Sequence, residues 1–377
     1  MKQSTQENYA IAGLFLFWQF SCAIVRPYPE RGMELGEEAA PAGEAPAVVR
    51  LNAQQAEAMG KRYATARPAR RDTHAKGQGC AKALFTVGVV PDAYRVGLFS
   101  EPKTYRAWVR FSNAAETRKA DDEPDGRGMA IKLMGVGGDR NLEQHRGKGT
   151  YDLLMINDKA HIVRDVERYV EFTRHLHDGK PARYFLKSAF GGRGPSGHRE
   201  VRNARHLARQ KPESMLTQRY WSMVPYAFGD GAAKFTAFPC GVTRKSKRPC
   251  EVGFDYYRQD LVSRLKEGSY CFAFGVQRQT DPVKTPIEDP TVIWSERRAE
   301  IVPVARLEIL RQEFDSPGQH AFCENLSMNP WNSMPELRPL GGINRVRKVV
   351  YEAISDLRHR LNEVEPWEPV DWSIAPR

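Results

Sequence analysis

Arg71-Asp72-Thr73-His74-Ala75-Lys76-Gly77 decides how this chain is read. A histidine stands between a basic run, Arg67, Arg70 and Arg71, and small residues. The apolar run Ala83-Leu84-Phe85-Thr86-Val87 follows. From His74 to about Lys132, short runs rich in β-branched and aromatic residues alternate with turns at Pro91-Asp92, Ser100-Glu101-Pro102 and residues 121–126. That alternation reads as an antiparallel sheet or barrel. Residues 163–215 turn helical and basic, broken at Gly191-Gly192-Arg193-Gly194-Pro195, and strands return at 234–238 and 271–276. The chain closes on an amphipathic helix, with Val346, Val349, Val350, Ala353, Ile354, Leu357 and Leu361 on one face. No internal repeat is found. The expected fold is α+β, an antiparallel β-barrel core with helices packed around it.

The 377 residues allow one large domain or two ordinary ones. With 41% hydrophobic and 27% charged residues, a sizeable core and a solvated surface are both available. The net charge of +11 suits nucleic acid, a membrane surface or an anionic cofactor. No helix-turn-helix, zinc-finger or RNA-binding signature accompanies it, so no nucleic-acid partner is expected. The six cysteines, Cys22, Cys80, Cys240, Cys250, Cys271 and Cys323, lack Cys-x-x-Cys spacing, which argues against structural zinc. Cys240 and Cys250 bracket a basic loop and can pair in an oxidising compartment; free thiols are the expectation.

Residues 1–25 hold an apolar segment, Ala10 to Val25, short for a membrane span and weakly charged ahead of it. It reads as a signal, an anchor or an extension. A cytoplasmic protein is expected, with a periplasmic or membrane-anchored one as the alternative. Membrane contact is expected only if this segment is retained. Residues 26–50 read as an extended arm or linker, because the Ala, Pro, Gly and Glu between 33 and 49 cannot bury a face. Residues 51–377 form the remaining domain, opening with a helix from Leu51 to Tyr63.

Five stretches carry a family resemblance. They are Arg71-x-x-His74-Ala75-x-Gly77, Val109-Arg110-Phe111-Ser112, Arg127-Gly128-Met129-Ala130-x-Lys132, Tyr151-Asp152-Leu153 running to Asn157, and Arg347-x-x-x-Tyr351 on the last helix. In this order they resemble the heme catalases, across roughly residues 60–361. Asp289-Pro290-Thr291-Val292-Ile293-Trp294 and Val304 to Leu310 resemble that family's last barrel strands. Asn325 to Pro335 resembles its wrapping segment. The family's helical domain after the heme ligand has no counterpart among the sixteen residues beyond Leu361, so the chain looks like a short, catalase-related heme protein of bacteria.

The resemblance implies heme b with its iron, a small peroxide substrate, a homo-oligomer, and catalase or peroxidase activity. His74 becomes the acid–base group that moves a proton between peroxide oxygens, because an imidazole takes and returns protons near neutral pH. Ser112 becomes its orienting partner and Asn157 a neutral donor above the metal. Tyr351 becomes the iron ligand, its phenolate favoured by Arg347 one turn away. Arg71 and Arg110 become the partners of the heme propionates. Arg358 is the third candidate, two residues further from the tyrosine than in the family when Arg358-His359-Arg360 is aligned, which excludes a simple carry-over for Arg360. Asp158-Lys159 replaces the family's Thr-Pro, and His161 and Tyr169 replace phenylalanines. The resemblance also admits isomerase or lyase chemistry on fatty-acid hydroperoxides, or a heme-binding protein without turnover. NADPH binding is not carried over.

Overall fold

Strand β1, Gly77–Val87, lies at the centre of a single sheet in the computed structural model, which describes residues 32–241 and 252–374. It pairs antiparallel with β2, Lys103–Asn113, on one side and with β9, Ile301–Ile309, on the other. β3, Arg127–Met134, and β4, Thr150–Ile156, extend the first side; β8, Tyr270–Arg278, and β7, Gly231–Pro239, extend the second. The short β5, Tyr220–Trp221, pairs with both β4 and β7 and so closes an eight-stranded antiparallel barrel. β6, Tyr226–Phe228, adds to β7 outside that ring. The α+β barrel read from the sequence is the fold observed.

Side chains alternate across each strand, so odd positions of β1 to β3 turn inward and even positions turn out. Ala83, Phe85, Val109, Phe111, Met129 and Ile131 belong to the main core. Aromatic rings fill the interior: Phe85 meets Phe274 edge-on at 5.2 Å, and Phe99 stacks on Phe274 at 6.0 Å. A filled barrel of this size leaves no room inside for a ligand. The outward even positions Arg110, Ser112 and Gly128 therefore carry the site.

That outer face is covered by helices. A separate apolar cluster joins α1, Glu44–Arg62, α2, Val166–His177, and α7, Gly342–Asn362, through Leu51, Met59, Val166, Val346, Val350 and Ile354. Asp165 caps α2 by accepting from the Arg168 N–H at 2.9 Å. The remaining described helices are α3, Pro181–Phe190, α4, Gly194–Arg209, α5, Tyr256–Glu267, and α6, Pro317–Asn325.

Some sequence expectations shift. The first helix begins at Glu44, inside the expected arm, because Ala47 and Leu51 bury against α2 and α7 and Glu44 accepts from Arg345 at 2.5 and 2.7 Å. Residues 36–39 are also tied down, with Gly36 N–H donating to Gln279 Oε1 at 2.8 Å and Arg345 pairing with Glu38 at 2.6 Å. The stretch Asp289 to Trp294 is not a strand; Asp289 instead pairs with Arg199 at 2.7 Å. Val349 is 40% exposed and leaves the buried face of α7.

The free-thiol expectation is overturned for four cysteines: Cys80 bonds Cys323 and Cys240 bonds Cys271. Cys271 is the cross-strand neighbour of Cys240, whose N–H donates to the Cys271 carbonyl at 2.9 Å. Cys22 and Cys250 lie outside the described residues, as does the apolar segment within residues 1–25. Among the described residues, no helix is long and apolar enough to cross a membrane.

Candidate active site

A cavity of about 530 Å³ lies between the outer face of β2 to β4 and helices α2 and α7. Arg71, His74, Arg110, Ser112, Arg347, Tyr351 and Arg358 all line it. Seven candidates scattered from position 71 to 358 thus meet on one surface.

His74 sits on a backbone with φ of +59°, a region that few residues other than glycine adopt. The surroundings hold it there: His74 N–H donates to Ala114 O at 3.1 Å, Ala75 N–H to Ala115 O at 3.2 Å, and Arg110 Nη2 to His74 O at 2.9 Å. Such strain, of order 1–3 kcal/mol, persists where the fold over-determines it. The ring's Nδ1 lies 2.9 Å from Ser112 Oγ. Gly128 makes the space, since a Cβ there would stand 2.7 Å from the His74 ring and 2.9 Å from Ser112 Oγ. Burial first, then the charges of Arg110, Arg347 and Arg71, lower the His74 pKa to about 3. The imidazole is therefore neutral near pH 7 and able to accept a proton. Lys76 secures the same turn by donating to Asp121 Oδ1 at 2.8 Å, Lys119 O at 2.9 Å and Phe254 O.

On α7, the Arg347 guanidinium lies 4.9 Å from the Tyr351 ring centroid, and Arg347 Nη1 donates to Asn344 Oδ1 at 3.1 Å. Arg358 is buried on the same helix, whereas Arg360 is exposed. Arg71, Arg110 and Arg358 share the neighbourhood of one carboxylate, Glu324. Burial, then Arg110 and Arg358, push the Arg71 guanidinium well below its usual pKa. Burial likewise takes Arg358 to about 10, with Glu324 opposing. The buried Arg110 and Arg358 and the half-buried Arg71 against one anion leave this end of the cavity with an excess of positive charge.

Asn157 does not join them. Its Oδ1 accepts from the Arg127 N–H at 2.7 Å, and its Nδ2 donates to Gln210 and Gln218, each at 2.9 Å. It lines a second cavity of about 490 Å³ with Asp158, His206 and Gln210. The neighbouring strand residues Leu154, Met155 and Ile156 face the first cavity in its place. The asparagine that the resemblance set above the metal is thus engaged by Arg127, Gln210 and Gln218 and does not line the first cavity.

Lys132 and Asp152, quoted with the motifs, are structural. Lys132 Nζ pairs with Asp152 at 2.8 Å and Glu368 at 2.6 Å, while Asn329 N–H donates to Asp152 Oδ2 at 3.0 Å. This ties residues 326–334 to the barrel. His161 and Tyr169 do line the cavity, ring to ring at 5.7 Å, but His161 Nδ1 is engaged by Val163 at 3.0 and 3.2 Å.

Sequence reading missed Asp72, Glu116 and His177, whose ligand atoms lie within 4.8 Å of one another. Arg62 already bonds Asp72 at 3.4 Å and Glu116 at 2.9 Å, so this is an ion network at the cavity wall. Burial, then Glu116, raises the Asp72 pKa to about 6. Glu324 and Gly128 were missed as well. Gly128 had a signal, a glycine inside a strand; Glu324 had none.

A Catalase family model matches residues 35–186. Among solved structures, the chain is similar to a fungal catalase, with a TM-score of 0.60 and 18% identity over 80% of this chain and 61% of that one. It is similar to catalase A from Saccharomyces cerevisiae, with a TM-score of 0.61 and 17% identity over 79% and 62%. A bacterial catalase gives a TM-score of 0.58 and 18% identity over 89% and 67%. The chain spans less than two thirds of the length of the first two, at 61% and 62%. No match is found among curated protein sequences. The fold is that of the catalases, and the Catalase family model matches the part of it that runs from α1 into α3. The match takes in His74 and Ser112; Tyr351 and Arg358 lie beyond it.

Proposed function

We propose that the cavity binds one heme b and that the protein carries out hydrogen-peroxide-dependent oxidoreduction, as a catalase or peroxidase. The observation that carries this reading is the excess of guanidinium, the buried Arg110 and Arg358 and the half-buried Arg71 around Glu324, at the cavity that also holds His74 and Tyr351. Buried cations call for anions. A planar dianion with two carboxylates meets that demand, and Arg110 Nε is buried without a hydrogen-bond partner.

In this reading Arg71, Arg110 and Arg358 hold the propionates and the Tyr351 oxygen is the iron ligand, with the Arg347 charge favouring its phenolate. Heme, when bound, supplies the redox equivalents for peroxide cleavage. With the ring hydrogen on Nδ1, directed to Ser112 Oγ, His74 presents Nε2 as a proton acceptor. It takes the proton from one peroxide oxygen and returns it to the other, so that water can leave. The covered cavity limits water around the base.

One observation favours a second reading. With Asn157 elsewhere, the cavity wall near His74 is apolar, built from Leu154, Met155, Ile156, Ile162, Phe172 and Leu176. Such a wall suits the tail of an organic or fatty-acid hydroperoxide. Oxygen evolution from hydrogen peroxide supports the first reading. A change in conjugated-diene absorbance of a lipid hydroperoxide, without oxygen, supports the second. Heme without either leaves a binding protein. The decisive first measurement is heme content by pyridine hemochrome: about one per chain is expected, and a heme-supplemented preparation that stays colourless overturns the proposal. Tyr351→Phe should keep the fold, lose the phenolate-to-iron absorption band and bind heme poorly.

The two disulfides support an oxidising compartment over the cytoplasm. Alkylation of the unreduced, denatured protein should then leave Cys80, Cys240, Cys271 and Cys323 unlabelled.

A further inference from the structure

The end of α6 sits inside the arginine cluster. Arg71 donates to the carbonyls of Cys323 and Glu324, both at 3.3 Å, and to that of Leu326. Arg358 donates to the carbonyls of Glu324 and, at 3.4 Å, Asn325. These last-turn carbonyls have no further helical N–H to accept from, and they carry the negative end of the helix dipole. Both arginines thus spend donors on backbone.

Glu324 is placed differently. Its carboxylate stands 3.6 Å from Arg70, 4.0 Å from Arg71 and 3.7 Å from Arg110. These are ion-pair separations longer than hydrogen bonds, and Glu324 Oε2 is buried with no hydrogen-bond partner. A carboxylate so placed attracts several cations at once and leaves their N–H groups available. The adjacent residue anchors it: Cys323 is bonded to Cys80 on β1, and Gln319 donates to the Cys80 carbonyl at 2.7 Å.

We propose that Glu324 is a positioning residue, the built-in counter-anion that keeps Arg70, Arg71, Arg110 and Arg358 assembled and aimed for an incoming dicarboxylate. Without it, four like charges stand close together, three of them, Arg71, Arg110 and Arg358, on the cavity wall. The cluster takes carboxylate- or phosphate-class anions, and Glu324 supplies the first.

Glu324→Gln keeps the shape and deletes the charge; Glu324→Asp keeps the charge. In a low-salt thermal unfolding series of the isolated protein, inorganic phosphate should raise the Glu324→Gln midpoint several degrees more than that of wild type or Glu324→Asp. Equal phosphate responses overturn the proposal, as does equal damage from both variants that phosphate does not relieve. The second measurement rests on the heme reading: transfer of heme from the holoprotein to excess apomyoglobin. Loss of a charged partner predicts about ten-fold faster release from Glu324→Gln at low ionic strength, with phosphate narrowing the gap. Release at the wild-type rate or slower overturns it, because Glu324 then competes with the ligand. A wild-type protein without heme removes that reading and leaves the phosphate measurement to decide this one.

Discussion

Gly128→Ala tests the geometry of His74 without touching it. Gly128 lies on β3, paired with Ser112 on one side and Ile156 on the other. An added methyl would stand 2.7 Å from the His74 ring atoms Cε1 and Nδ1 and 2.9 Å from Ser112 Oγ. The barrel strands cannot part, and the His74 backbone is fixed at φ +59° by three hydrogen bonds. The ring must tilt, and its 2.9 Å contact with Ser112 breaks. Overpacking costs about 1–3 kcal/mol and the lost hydrogen bond about 1, offset by about 0.4–1 from the less flexible unfolded chain. The net loss is roughly 1–3 kcal/mol, read from urea unfolding. A displaced base should also slow the stopped-flow reaction with hydrogen peroxide by about 10²-fold. Gly268→Ala is the control, with an extended backbone at φ −164° and nothing within 4 Å of the new atom. It should leave the rate unchanged and raise stability slightly, by about 0.4–1 kcal/mol. A Gly128→Ala protein with wild-type stability and rate would refute the placement of His74 against Ser112.

Asn157→Ala should cost about 1–3 kcal/mol, because it strips partners from the buried Arg127 N–H, Gln210 and Gln218; a large loss of peroxide turnover with unchanged stability would return it to the site. His145 lies 3.7 Å from Glu368, and burial, only partly countered by that carboxylate, lowers its pKa to about 4. The unfolded histidine titrates near 6.5, so below that pH the unfolded state binds a proton that the folded state refuses. The contribution is intact above about pH 6.5 and lost progressively towards pH 4, by about 3 kcal/mol. Chemical denaturation of His145→Gln should show a shallower pH slope over that window; an unchanged slope contradicts the assignment. Reducing Cys80–Cys323, which spans 243 residues, should lower stability by about 2–5 kcal/mol. A denaturation midpoint indifferent to reductant, with reduction verified by mass, argues that the bridge adds nothing.

The sequence by itself determined the barrel and singled out most of the charged residues that line the cavity. Strand alternation from Ala83 onward already set which side chains turn inward, since the period of two is a local property of extended chain. The helical periodicity of Val346, Val350 and Ile354 gave the buried side of α7, and the family resemblance picked out Tyr351 and Arg358, which line the cavity there. Tertiary structure decided what depends on a one-residue offset or on a distant partner. Asn157 follows the end of β4, where a one-step difference in register sends a side chain to another wall; only the pairing of Ile156 with Trp221 and Gly128 settles that step. Arg358 over Arg360 was settled by the helix's 100° turn per residue against a fixed neighbour, α6. Glu324 and Cys323 carry no local signal at all. Their roles arise because α6 is brought back onto β1, 243 residues away in sequence, and a charge or a thiol acquires meaning from what the fold sets beside it.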